Sequence, residues 1–86
     1  MVDAFLKQGD HDLAALRNAI ADKDAAAFRA TAHALSGSCG VLGGQALAEL
    51  AGELSSLARK GDLDACAERL PALELELQEF LAELSP

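Results

Sequence analysis

The chain has 86 residues, enough for one domain around one modest core, and its 51% apolar content, mostly Ala and Leu, excludes disorder. A formal charge of −7 argues against a nucleic-acid binder or an anionic-membrane binder, since both need a basic face. With 3% aromatics and neither Trp nor Tyr, stacking platforms for bases or sugars are excluded as well.

The longest apolar run is far below the ~20 residues of a membrane span. The short, amphipathic, acidic N-terminus does not read as a signal peptide. Two cysteines without metal spacing read as buried, reduced thiols in a cytoplasmic protein.

In chain order, Val2, Phe5, Leu6, Leu13, Leu16 and Ile20 form one face of a helix over about 2–21. Gly9 falls on that face as a close-packing point or a local break. Asp22-Lys23-Asp24 resets the chain, with Asp24 as the next N-cap. A second helix over about 25–41 buries Phe28, Ala32, Leu35, Cys39 and Leu42, and Gly43-Gly44 ends it. A third, over about 45–59, carries Leu47, Leu50, Leu54 and Leu57 with Ala51 and Ala58 alongside. Arg59-Lys60-Gly61 closes it: cations at the negative end of the dipole, then Gly61 at C′. Asp62 caps a fourth helix over about 63–84, striped by Leu63, Cys66, Leu70, Leu73, Leu77, Phe80 and Leu84. Pro71 lies inside that stripe and predicts one kinked helix rather than two. Four amphipathic helices joined by short turns predict an all-α, antiparallel up-down four-helix bundle, a single domain over residues 1–86.

His33 is one of two histidines and lies roughly 150° from the centre of the second helix's apolar face. Gly37, Gly40 and Gly44 fall within roughly 40° of it, and Arg29 lies one turn before it. Val41, roughly 80° away, offers an apolar contact. Three glycines on one helix face lower its intrinsic stability. Two readings are open: the glycines clear space above the imidazole, or they fit against a neighbouring helix while His33 is an ordinary surface residue.

His33-Ala34-Leu35-Ser36-Gly37-Ser38, followed by Leu42-Gly43-Gly44, resembles the H-x-L-K-G-S…L-G-A signature of histidine-containing phosphotransfer (HPt) domains. The likeness extends through the helix layout from Phe5 to Leu84. It implies a phosphorelay intermediate of two-component signal transduction. His33 would accept a phosphoryl group from a receiver-domain aspartate through Nε2 and pass it to another receiver. The resemblance implies no ATP-dependent kinase activity, no metal and no cofactor in this domain, because the receiver supplies the Mg2+. Partners would be response-regulator receiver domains, with a regulated enzyme as a further candidate, and no nucleic acid or membrane.

Many HPt domains are C-terminal modules of bacterial hybrid sensor kinases and carry an additional N-terminal helix. This chain starts at the helix that would follow it, which reads either as an excised C-terminal module, the cytoplasmic part of such a kinase, or as a short natural form in the cytoplasm. Where many relatives have Lys three residues after the histidine, this chain has Ser36, whose hydroxyl donates one hydrogen bond but offers no charge. Arg29 is the candidate substitute cation, or else a solvated arginine. The alternative to phosphotransfer is a docking module without chemistry, binding a receiver or an enzyme through the His33 face. A hydrolase or transferase acting alone finds no second catalytic group near His33. His11, between Asp10 and Asp12, reads as a surface residue, because those three neighbours do not face one point on a helix.

Overall fold

A computed structural model describes the backbone of residues 2–84 and the side chains of residues 7–83. Four helices follow one another: α1 (Val2–Ala21), α2 (Ala25–Val41), α3 (Gln45–Arg59) and α4 (Leu63–Leu84). The 22 residues of α4 span about 33 Å at 1.5 Å per residue, which accounts for most of the 38 Å long axis of the molecule. Each helix packs on its neighbours around the ring, including α1 on α4. Cross-contacts run in opposite directions along each pair: Ser36 meets Ala48 and Arg29 meets Ser55 between α2 and α3, while Leu54 meets Cys66 and Glu53 meets Arg69 between α3 and α4. This is the antiparallel up-down bundle that the four stripes demand.

The three connections are the same device. After α1, α2 and α3, two backbone bonds close a Schellman turn: Asp24 N–H to Ala19 O and Lys23 N–H to Ile20 O; Gly44 N–H to Cys39 O and Gly43 N–H to Gly40 O; Asp62 N–H to Leu57 O and Gly61 N–H to Ala58 O. The middle residue must take positive φ, and Gly43 (89°) and Gly61 (82°) do so without a Cβ clash, whereas Lys23 (56°) carries one. The last residue of each turn then opens the next helix. Asp24 Oδ1 accepts from the Ala27 N–H and Asp62 Oδ1 from the Ala65 N–H, both at 3.1 Å.

Leu13 and Leu16 of α1, Phe28 and Leu35 of α2, Leu47 and Leu54 of α3, and Leu70, Leu73 and Leu77 of α4 meet in one core. Cys39 and Cys66 are buried free thiols in it, and Cys66 Sγ donates to the Leu54 carbonyl at 3.4 Å. Burial first, and the charge of Asp12 second, push the Cys39 thiol up to about 11; burial likewise raises Cys66. Both therefore stay protonated and unreactive near neutral pH.

Several sequence expectations need adjusting. Leu42 is not part of the buried face: it is the C-cap residue of α2, outside the helical spiral, and 45% exposed. Leu81 joins the core although the stripe steps from Phe80 to Leu84. Gly9 explains this, because a Cβ there would stand 3.5 Å from Leu81 Cδ1 and 3.6 Å from Leu77 Cδ2. The helix does not break at Gly9; α4 packs on it. Likewise α4 runs unbroken through Pro71, whose exposed position leaves the carbonyl it cannot serve within reach of water. The burial expected of Val2, Phe5, Leu6 and Leu84 lies outside the described side chains.

Candidate functional site

His33 sits at the middle of α2 and is exposed. Along the same face run Ala26, Arg29, Gly37 and Gly40, also exposed, spaced three or four residues apart. The imidazole therefore stands in the middle of a continuous solvent-facing strip about four turns long, most of it without bulky side chains.

The glycines on this strip have different surroundings. A Cβ on Gly37 would meet nothing within 4 Å. No packing contact accounts for that glycine, and an alanine there would favour the helix by about 1 kcal/mol. Gly40 faces Ala48 Cβ across the α2–α3 seam, at 3.9 Å from its own virtual Cβ. Gly44 does not belong to a cleared surface: it is the buried N-cap residue of α3, and a Cβ there would stand 3.0 Å from two carbons of the Phe80 ring. Having no side chain, it also lacks the cap that Asp24 and Asp62 provide to α2 and α4. Gly37 thus borders open space, whereas Gly40 and Gly44 lie against neighbouring helices.

Ser36 also turns toward α3. Its Oγ donates to the Ala48 carbonyl at 2.8 Å, and a Cβ on Gly52 would lie 3.6 Å from that oxygen. From the opposite helix, Ser55 Oγ donates to the Arg29 carbonyl at 3.3 Å. Two hydroxyls, one from each helix, thereby tie α2 to α3 on either side of His33. Sequence reasoning assigned Ser36 to the phosphoryl side and did not single out Ser55, which is 9% exposed. A serine among leucines and alanines carries no period, so only the helix crossing reveals its use.

Arg29 is exposed one turn before His33, about 6 Å along the axis. The ion pairs among the described residues are Arg17–Glu74 at 2.8 Å and Arg69–Glu53 at 3.4 Å, so the Arg29 guanidinium is engaged in neither. The first pair holds the Arg17 guanidinium protonated even more firmly through its hydrogen bond to Glu74. Val41 ends the strip at 88% exposure, next to the half-exposed Leu42. Among the described residues, no group of three or more His, Cys, Asp or Glu side chains could hold a metal ion, and His11 is exposed on α1. No described helix is long and apolar enough to cross a membrane.

The bundle of four antiparallel helices thus presents His33, exposed, on a face of α2 that is tied to α3 on either side. The Hpt domain family model matches residues 1–83, and the chain belongs to that family. Comparison with curated proteins and with solved structures found no match.

Proposed function

We propose that this domain is a phosphorelay intermediate in which His33 receives a phosphoryl group from a receiver-domain aspartate and delivers it to a second receiver. The observation that carries this reading is the exposed imidazole of His33 beside the unexplained vacancy at Gly37, at the signature position of a chain matched by the Hpt family model over residues 1–83.

In the first transfer, the lone pair of a neutral imidazole nitrogen attacks phosphorus. The bond from phosphorus to the aspartyl oxygen breaks, and the carboxylate leaves with its electron pair. A phosphoimidazole remains, with the ring's other nitrogen holding or releasing its proton. The second transfer reverses these steps on another carboxylate. Such a transfer is governed by in-line positioning and charge neutralisation. Positioning falls to α2, braced by the Ser36 and Ser55 hydrogen bonds. The metal ion belongs to the receiver in this reading. Arg29 is the nearest cation on α2 for the phosphoryl oxygens, since the Ser36 hydroxyl proton is already given to Ala48. Gly37 and Gly40 give the partner's loops room to approach, and Val41 supplies an apolar contact.

The test is incubation of the domain with phosphorylated receiver domains, followed by assay for acid-labile, base-stable label. Label on the wild type that disappears in His33→Gln is expected. Retained binding without label in the wild type would instead establish a docking module without chemistry.

A further inference from the structure

The two ends of the His33 strip differ in kind. Toward the C-terminus of α2 it ends in Val41 and Leu42, exposed and apolar. Toward the N-terminus it opens into a shallow groove between the first turn of α2 and the last turn of α3, lined by Ala25, Ala26, Arg29, Ala58, Arg59 and Lys60. Ala26 and Arg29 share the His33 face of α2, so groove and strip are continuous. The chain has 7 basic side chains against 14 acidic ones, and three of the basic ones line this groove. The two ion pairs among the described residues use none of these three. The nearby carboxylates Asp24 and Asp62 are turned into helix caps. Lys23 lies in a different groove, which it shares with Asp62 and Asp64.

We infer that Arg59 and Lys60, together with Arg29, form a cationic docking site for an acidic surface of the receiver domain, and that this site fixes which way round the receiver lies on α2. The receiver's acidic surface meets the groove on one side of its phosphorylated aspartate, and an apolar surface meets Val41 and Leu42 on the other. This inference rests on the phosphorelay reading. Charge complementarity selects the occupant: a negatively charged protein approached through three clustered cations gains association rate that added salt removes. The other role open to Arg59 and Lys60 is to neutralise the carbonyl end of α3, which affects stability and leaves docking alone.

The experiment compares Arg59→Glu with Lys7→Glu, which makes the same change in net charge at an exposed position on α1, outside the groove. Phosphoramidate is first used on the wild type to ask whether His33 is a phosphoacceptor at all. Receiver domains from the same genome, charged with acetyl phosphate, then serve as donors, and the fastest is carried forward. Helical circular dichroism and melting temperature report folding. Arg59→Glu is expected to lower the second-order transfer rate about tenfold at low salt and to flatten its salt dependence, with Lys7→Glu close to wild type. Equal slowing by both variants, or by neither, overturns the docking site while leaving the phosphorelay reading intact. Labelling by phosphoramidate with no transfer from any receiver overturns the docking site and the phosphorelay reading together. Failure of both phosphoramidate and every charged receiver to label the wild type removes the phosphorelay reading, and the docking site falls with it.

Discussion

Gly37 and Gly44 lie on nearly the same side of the α2 projection, yet they answer to different constraints. Gly44 is buried where α3 begins, and the ring of Phe80 fills the place of its side chain. Gly37 has open space where its side chain would be. One glycine is required by the fold. The other costs helix stability and gains nothing in packing, which points to a use outside the folded chain. The comparison also divides the signature segment. Ser36 looks inward to the α2–α3 seam, the exposed Gly40 borders that seam, and His33 and Gly37 look outward.

Substitutions can break that division. The largest effect is expected from Gly44→Val, whose branched side chain would press on Phe80. Overpacking of this kind costs about 1–3 kcal/mol, read as a lower urea midpoint by circular dichroism. An unchanged midpoint would mean that the ring yields freely and that Gly44 is not required by packing.

Ser36→Ala comes next. It removes one tie between α2 and α3 and should cost about 1 kcal/mol, toward the low end because the Ala48 carbonyl lies within a helix and keeps a backbone partner. If transfer slows while the melting temperature holds, the Ser36 hydroxyl acts on the phosphoryl group and the seam assignment is wrong.

Gly37→Ala sharpens the contrast, with the opposite sign. Stability should rise by up to about 1 kcal/mol, because the new methyl meets nothing and the helix gains propensity. Transfer from a phosphorylated receiver should fall. A variant that is both more stable and equally fast in transfer would show that the vacancy serves no partner.

Much of this fold is legible in the sequence. Asp24 and Asp62 cap helices because a short side chain reaches N–H groups two and three residues on, and Gly43 and Gly61 end helices because positive φ favours a residue without Cβ. Both rules are local, so the helix limits could be drawn without knowing what packs where. The stripes then require four helices to enclose a core. The exposure of His33 follows from its angle to Phe28, Leu35 and Cys39, which are all fully buried. Lys23 was less legible. It holds the same left-handed turn position as two glycines, and nothing about a lysine announces that.

What the sequence determined by itself is whatever depends on neighbours within one helical turn: helix ends, apolar faces and the outward direction of His33. The tertiary structure alone decided what each small or polar residue between those faces meets. Leu42 is left outside, Gly44 is pressed against Phe80, Ser36 and Ser55 are tied across the seam, and Arg59 and Lys60 are brought beside Arg29. The physical reason is that helical periodicity gives a direction around one axis, whereas contact with another helix depends on where two axes cross and at what height, and that is set only when all four helices pack together.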